Sequence, residues 1–224
     1  MSQPLRILFK YPTRGRPSRF FDGLDSILNN LWDRENFQVQ VTADVDDPTM
    51  TDKEVLKKLE EYPRTFITYG ISNSKICAVN RDLPLFKDYD IICCHSDDML
   101  WKFFGFDQII RQEFEDGDLD KLLHIPDSDA KEYLATYYIA GKDYFKRFNY
   151  IYHPSYKSLF CDNEVQEIAM KLGKYKFVNC SGMLFHEHPS YGHIGFDEQY
   201  QAQQALWGED ELNYHTRKAR NFDL

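Results

Sequence analysis

Segments of two different types alternate along the N-terminal half of the chain. Four of them are short, rich in apolar residues and of strand length: 5–11, 37–43, 64–70 and 89–94. The three segments between them are predicted as helices: 18–32, 51–62 and 72–83. Strands that alternate with helices in this way predict an α/β fold with a Rossmann-like open mixed sheet, mostly parallel, and helices on both faces.

The first predicted helix follows a turn rich in proline, glycine and arginine, PTRGRP. Ser18 can cap this helix, because a serine oxygen at that position accepts a hydrogen bond from a free backbone N–H of the first turn. Five apolar residues then repeat at helical spacing and predict one face that packs on the sheet: Phe21, Leu24, Ile27, Leu28 and Leu31.

The fourth predicted strand ends on two adjacent aspartates, Asp97 and Asp98, in the segment IICCHSDD. The ligand crevice of an open parallel sheet lies at the carboxyl ends of its strands, so HSDD would share one edge with PTRGRP and with DVDD after the second strand. Like charges this close repel each other unless they are protonated, solvated or bridged by a cation. Magnesium or manganese held by such oxygens keeps positions open for phosphate, so the pair predicts a metal-bound diphosphate.

The acid pair also has a purely structural interpretation. The segment 99–115, MLWKFFGFDQIIRQEFE, is predicted as a helix, and Asp97 and Asp98 would stand at its N-terminus. Aspartate is favoured there by hydrogen bonding and by the helix dipole. Both interpretations stay open at this point.

Charge limits the partners of the chain. Its 224 residues suit one domain, since a domain takes about 150 residues. A net charge of −9 argues against nucleic acid as a partner and against loose binding to an anionic membrane. Arg14, Arg16 and Arg19 nevertheless cluster around the first turn, where guanidinium groups and helix N-terminal amides favour an anion, although a solvated basic turn has the same pattern.

The N-terminus and the cysteines indicate the compartment. The apolar stretch in MSQPLRILFKYPTR is too short for a secretory signal, and no apolar run reaches the roughly 20 residues of a membrane helix. Five cysteines form no C-x-x-C pair and are expected to be free thiols: Cys77, Cys93, Cys94, Cys161 and Cys180. We therefore expect a cytoplasmic protein with no integral membrane segment.

Four features of the N-terminal half resemble a known family. They are the Pro-Thr-Arg turn after the first strand, DVDD after the second strand, SKICAVNR before the fourth strand and SDD at its end. Together they resemble nucleotide-diphospho-sugar glycosyltransferases of the GT-A fold and are most similar to family 2. The resemblance covers about 5–105 well and the rest of the chain more loosely.

The resemblance implies a single GT-A-like domain over 1–224. Its nucleotide-sugar-binding half would occupy about 1–105, its acceptor half about 106–207, and 208–224 would be a charged tail, either a short helix or loose. The acceptor half contains a predicted strand and loop at 120–129 and a segment dense in aromatic residues, which suits an acceptor cleft as well as a core.

The resemblance also implies donor-binding roles for particular residues. Thr13 would meet the nucleoside, Asp44 or Asp46 would accept from the base or ribose, and Lys75 would face the nucleotide or its diphosphate. The full predicted donor-binding set is Thr13, Arg14, Arg16, Asp44, Asp46, Lys75, Asn80 and Asp97. Asp98 is the favoured metal ligand, and Asp97 is the partner of either the ribose or the metal. The usual motif is Asp-x-Asp, and His95 or Ser96 stands here where a first acid is expected.

An inverting transfer needs a carboxylate that takes the proton of the acceptor hydroxyl. The resemblance places that base in FCDNEV, just before a helix predicted from Asn163 to Leu172, with Asp162 as the first choice and Glu164 as the second. The alternative is that Asp162 caps this helix and Glu164 lies in its first turn.

A late His-x-His pair follows a strand predicted from Lys176. Residues two apart in an extended chain point to the same face, so His186 and His188 can both reach one metal ion. The resemblance implies that one of them completes the metal site, and His186 is favoured because it lies nearer the strand body. Coordination requires a neutral imidazole, so binding should weaken as the pH falls through the usual histidine pKa of about 6.5.

The predicted function is a glycosyltransferase that uses manganese or magnesium to move a sugar from a nucleotide-diphosphate donor to a glycan, lipid-linked or small-molecule acceptor, with inversion. One alternative is a sugar-phosphate nucleotidyltransferase, against which the absence of a long Gly-rich first loop counts. The other is a non-catalytic sugar-nucleotide or glycan-binding module, which the altered acidic motif favours.

Overall fold

The computed structural model describes residues 4–85, 87–189, 192–193, 195 and 197–224. Within them the chain forms nine strands and eight α-helices. The strands are β1 Ile7–Pro12, β2 Phe37–Asp44, β3 Thr65–Gly70, β4 Ile91–Cys94, β5 Met99–Trp101, β6 Leu122–His124, β7 Tyr138–Gly141, β8 Tyr175–Phe177 and β9 Leu184–His186. The helices are α1 Pro17–Asn30, α2 Lys53–Leu59, α3 Lys75–Asn80, α4 Phe106–Gln112, α5 Lys142–Lys146, α6 Cys161–Lys171, α7 Glu198–Gln204 and α8 Trp207–Ala219.

Seven of the strands form one sheet in the order β3-β2-β1-β4-β7-β6-β8. Strands β3, β2, β1 and β4 are parallel neighbours, β7 is antiparallel to both β4 and β6, and β8 is parallel to β6. The prediction of an open mixed sheet, mostly parallel, is confirmed. Because the parallel strands all end at one edge, the loops after β1, β2 and β4 lie together.

Apolar residues on both faces of this sheet are buried. Along β1, Phe9 and Tyr11 pack into a core with α1, whereas Leu8 packs into a second core with α3, α6 and α8. Successive side chains of a strand point to opposite faces, so the two cores lie on opposite sides of the sheet. Helices therefore cover both faces, as the sequence predicts.

The first helix confirms the predicted apolar stripe and corrects its predicted start. Leu24 and Ile27 are fully buried on the sheet. The helix begins at Pro17 rather than after a Ser18 cap, with Arg16 at the N-cap position and no side-chain cap. Proline suits the first helical position because its missing N–H would have no partner there and its φ is already helical.

The helix predicted over 99–115 is wrong in its first half. Met99–Trp101 is a strand that pairs antiparallel with Leu184–His186, and the helix begins only at Phe106, after Gly105 with a φ of 84°. Pairing with a distant strand has overridden the local apolar pattern. Asp97 and Asp98 therefore precede a strand, and their interpretation as helix caps is excluded.

The single strand predicted from Lys176 is likewise two short strands, β8 and β9, which belong to different sheets. The charged segment 208–224 is largely the packed helix α8, anchored by a buried ion pair between Arg217 and Glu164 of α6. In the described part of the chain, no helix combines the length and apolar character needed to cross a membrane. The five cysteines are free.

Candidate functional site

A cleft of about 370 Å³ opens at the carboxyl ends of β1, β2 and β4. We call it the first cleft. It is lined by seven of the residues that the sequence predicts for ligand binding: Thr13, Arg14, Arg16, Asp44, Lys75, Asp97 and Asp98. The shared strand edge thus brings together the first turn, the end of the second strand and the acid pair.

Asp44 is held in place at one side of the first cleft by two arginines. Its carboxylate accepts from Arg14 Nη1 at 2.9 Å and from Arg81 Nη1 at 3.0 Å. Arg81 also donates to the carbonyl of Ala43 at 2.6 Å and to Oγ of Ser72 at 2.7 Å, so it ties the end of β2 to the loop before α3. Arg81 is the last residue of the SKICAVNR motif, but the sequence alone assigns no role to it.

Two predicted residues lie outside the lining of the first cleft. Asp46 is exposed and pairs with Arg14 at 2.7 Å. The Asn80 side chain donates to the carbonyl of Tyr152 at 2.6 Å and accepts from the backbone N–H of Ile151 at 3.0 Å. Both of its polar atoms thus hold the loop at 151–152.

The two adjacent aspartates have different partners. Asp97 pairs with Arg16 Nη1 at 3.1 Å, and Arg16 Nη2 reaches Asp197 at 2.5 Å. Asp98 accepts from the hydroxyl of Tyr200 in α7 at 2.7 Å. Burial, together with the charge of Asp98, raises the pKa of Asp97 to about 6. Burial opposes ionisation of Asp98 too, but its interaction with the nearby His186 ring lowers the pKa of this carboxyl.

The β5–β9 ladder places His186 against Asp98. Met99 is the register partner of His186, and the Glu187 N–H donates to the Asp98 carbonyl at 2.7 Å. As a result, Nε2 of His186 lies 3.8 Å from Oδ2 of Asp98. Burial alone would lower the pKa of His186, but its interactions with Asp127 and Asp98 outweigh burial and raise the pKa to about 9.

The other ring nitrogen of His186 is bound by Asp127, a residue that sequence reasoning missed. Nδ1 of His186 lies 3.0 Å from Oδ2 of Asp127. Asp127 is buried and also accepts from the Thr136 hydroxyl at 2.7 Å and from the Asp129 N–H at 2.8 Å. A fixed carboxylate of this kind orients the ring of a ligating histidine.

His188 lies beside this arrangement. Its ring centroid is 5.1 Å from that of His186 and 5.4 Å from that of Tyr200. Burial lowers the pKa of His188, and the neighbouring His186 lowers it further. The structure thus brings the predicted His-x-His pair together, with His186 directed at Asp98.

The described residues contain no group of three or more acidic, histidine or cysteine side chains arranged to hold a metal ion. Asp98 nevertheless offers a carboxylate oxygen, which suits Mn²⁺, and His186 offers an imidazole nitrogen, a common metal ligand. Magnesium-like ions bound by one or two protein ligands complete their shell with water and phosphate oxygens. These residues therefore fit a cation that is shared with a bound diphosphate, and they do not fit a closed protein cage.

A second cleft of about 350 Å³ adjoins the first, and Gln203 of α7 lines both. We call it the second cleft. It is lined by Ala130, Leu134, Thr136, Leu159, Phe160, Asp162, Asn163, His186, His188, Tyr200, Gln203, Gln204 and Trp207.

The structure separates the two acids of FCDNEV. Asp162 opens into the second cleft, where burial raises the pKa of its carboxyl against the opposing charges of Lys75 and His186. Glu164 is 1% exposed, forms a two-point ion pair with Arg217 at 2.7 and 2.9 Å, and accepts from the Tyr156 hydroxyl at 2.8 Å. Glu164 therefore has its oxygens engaged in the core.

Comparisons with known proteins agree with this fold. No protein-family model and no curated protein matches the sequence. Among solved structures, a mannosyltransferase from Pyrobaculum calidifontis in complex with GDP-Man and Mn²⁺ matches with a TM-score of 0.70 and 12% identity, over 98% of this chain and 65% of that one. S. aureus TarS 1–349 in complex with UDP matches with a TM-score of 0.64 and 12% identity, over 81% of this chain and 60% of that one.

The chain therefore spans less than two thirds of the length of either structure. At this level of identity the likeness concerns the fold. The resemblance predicted from the sequence is confirmed at that level: the chain has a GT-A-like α/β fold, which it shares with a mannosyltransferase solved with GDP-Man and Mn²⁺.

Proposed function

We propose that this chain is a metal-dependent glycosyltransferase that binds a nucleotide-diphosphate sugar in the first cleft. The observation that supports this most strongly is the meeting of Asp98 and His186 where the two clefts join. A metal–diphosphate site between a nucleotide cleft and a second, acid-containing cleft is what transfer from a nucleotide sugar requires.

The nucleoside lies at the Asp44 side of the first cleft. Arg14 and Arg81 fix the Asp44 carboxylate, which accepts a hydrogen bond from the base or the ribose. The Thr13 hydroxyl is buried and has no hydrogen-bond partner within the described residues, so it is available to the ligand. Lys75 is exposed at the cleft and supplies positive charge to the diphosphate.

Asp98 and His186 would hold the divalent metal, and Asp127 keeps the His186 ring in its binding orientation. A bound manganese or magnesium ion would neutralise negative charge on the departing nucleoside diphosphate. Arg16 and Lys75 line the same cleft and would add positive charge beside the phosphates.

Asp162 acts as the general base. Its raised pKa and its position in the second cleft suit a carboxylate that receives a proton from a bound hydroxyl group. The acceptor oxygen attacks the anomeric carbon of the donor sugar, and the bond between that carbon and the diphosphate oxygen breaks. The proton of the acceptor hydroxyl passes to Asp162, and the nucleoside diphosphate leaves. Attack from the opposite side of the sugar inverts the anomeric centre.

The proposal is tested by incubating the protein with GDP- and UDP-sugars, a mixed acceptor panel and Mn²⁺, and by following release of the nucleoside diphosphate. We expect release that requires Mn²⁺ and falls sharply in Asp98→Asn and Asp162→Asn. Binding of a nucleotide sugar without any release would instead identify a binding module. Pyrophosphate release from a nucleoside triphosphate and a sugar phosphate would identify a nucleotidyltransferase.

A further inference from the structure

The described lining of the second cleft contains an acid and two histidines. Among its described lining residues there is no lysine and no arginine. Asp162 supplies a partly buried acid, and the ring of His186 lies between the carboxylates of Asp98 and Asp127. A phosphate, sulfate or carboxylate in this cleft would therefore meet negative charge and no lysine or arginine to pair with.

The remaining wall of the cleft combines an aromatic ring with amide groups. Trp207 is 46% exposed and packs edge-to-face on Phe160, with ring centroids 4.9 Å apart. The amides of Asn163, Gln203 and Gln204 line the same cleft, and within the described residues their side chains form no hydrogen bonds. The cleft thus presents an apolar ring face and several free donors and acceptors.

Trp207 is held rigidly although nearly half of it is accessible. It is the first residue of α8, and Asp210 one turn later accepts from the backbone N–H groups of Ser158 and Leu159 at 2.8 Å. The Phe160 ring behind it stacks on Tyr214 with centroids 5.8 Å apart. An aromatic side chain fixed in this way binds a ligand face at little cost in conformational entropy.

We infer that the second cleft binds the acceptor as an uncharged sugar residue, whose C–H face lies on Trp207 and whose hydroxyl groups bond to Asn163, Gln203 and Gln204. A pyranose has one apolar face and an equatorial belt of hydroxyls, which matches this wall. This inference rests on the proposed function, because it identifies the acceptor class of the same transferase.

The first test compares acceptors. The parent protein is given neutral methyl glycosides and, in parallel, the matched sugar 6-phosphates and uronic acids, with the donor and Mn²⁺ held constant. We expect transfer to at least one neutral glycoside and none above background to its charged counterparts. Octyl glycosides of the same sugars form a further arm, in which a lower KM than for the methyl glycoside would identify a lipid-linked source of the sugar.

The second test uses Trp207→Ala, with Trp207→Phe as the conservative variant and Trp32→Ala as the control, since Trp32 is 60% exposed and outside both clefts. Trp207→Ala should raise the acceptor KM about 10-fold, the loss of roughly one aromatic contact, while the KM for the donor stays close to that of the parent because Trp207 does not line the first cleft. Trp207→Phe should recover most of the affinity, and Trp32→Ala should behave as the parent.

Binding is also measured without turnover, from the change in tryptophan fluorescence when a neutral methyl glycoside is added to the parent and to Trp207→Phe. A fluorescence change that depends on Trp207 supports the inference even if no donor is turned over. Absence of turnover would contradict only the proposed function. The inference is overturned if charged acceptors are used as well as neutral ones, or if Trp207→Ala changes neither the acceptor KM nor glycoside binding.

Discussion

Nε2 of His186 lies 3.8 Å from Oδ2 of Asp98. The two residues come from distant parts of the chain and meet because a two-stranded ladder pairs Met99 with His186. Asp127 holds the opposite nitrogen of the ring at 3.0 Å. Asp98, His186 and Asp127 therefore form one connected unit, on which the proposed binding of metal and donor depends.

Metal affinity should rise with pH. Because the pKa of His186 is raised to about 9, its ring carries a proton at neutral pH that a metal ion must displace. Binding of Mg²⁺, measured by calorimetry in the presence of the nucleoside diphosphate, should therefore strengthen as the pH rises from about 6.5 to 8.5, by up to about 10-fold per unit. His186→Ala should bind more weakly and with a flatter profile. Parent affinity that does not change over this range would contradict the role of His186.

Asp127→Asn should weaken the metal site without removing a metal ligand. The asparagine oxygen can still accept from the backbone N–H groups at 129 and 130, but the negative charge that orients the His186 ring is lost. Mn²⁺ affinity should fall about 10- to 100-fold. Glu132→Gln, which also replaces an acid by its amide and is exposed in the same loop, serves as the control and should leave Mn²⁺ affinity nearly unchanged. If Asp127→Asn binds Mn²⁺ as tightly as the parent, Asp127 only shapes the loop.

Arg81→Lys should reduce affinity for the nucleoside without affecting the metal. Lysine keeps the charge but cannot reach Asp44, Ser72 and the Ala43 carbonyl at once, as the guanidinium does. We expect the Kd for a nucleoside diphosphate, measured at saturating Mn²⁺, to rise about 10-fold. Arg64→Lys, at an exposed ion pair with Glu35 away from the clefts, is the matched control. If the parent and Arg81→Lys bind the nucleoside diphosphate with equal affinity, Asp44 does not contact the nucleoside.

Asp162→Asn and Glu164→Gln should fail in different ways. Asp162→Asn should lower turnover about 100- to 10,000-fold with donor affinity nearly unchanged, as loss of a general base does. Glu164→Gln leaves the buried Arg217 with Asp223 as its remaining acidic partner among the described residues and should destabilise the fold by about 1–3 kcal/mol, while the folded fraction keeps its turnover. Denaturant titration and initial rates measure the two effects. The assignment is reversed if Glu164→Gln is stable and inactive while Asp162→Asn remains active.

The sequence predicts the parallel half of the sheet well because each strand there has a clear local signal. The order of the parallel strands brings the ends of β2 and β4 to one edge of the sheet. For this reason the sequence alone could place Asp44 and Asp98 in one cleft. The segment at 99–115 could not be predicted in this way, since Met99–Trp101 has a helix-compatible pattern and becomes a strand only by pairing with β9.

The missed residues of the site have no local signal either. Asp127 has neighbours typical of any loop, and its significance comes from its contact with His186. Arg81 is one of many arginines until the end of β2 packs beside it. In the same way, Asp162 and Glu164 look equivalent in FCDNEV, and only the position of Arg217 in α8 distinguishes the cleft acid from the core acid.

Nucleotide-sugar binding by the parent and by Asp98→Asn, measured by thermal shift and calorimetry with and without Mn²⁺, tests the proposed metal and donor site most directly. At least one GDP- or UDP-sugar should stabilise the parent only when Mn²⁺ is present, by about 2.7 kcal/mol at a ligand concentration of 100 times Kd. This stabilisation should disappear in Asp98→Asn, whose metal-free stability should stay close to that of the parent. Donor binding that is independent of Mn²⁺, or equally strong in Asp98→Asn, would show that Asp98 does not bind the donor through a metal.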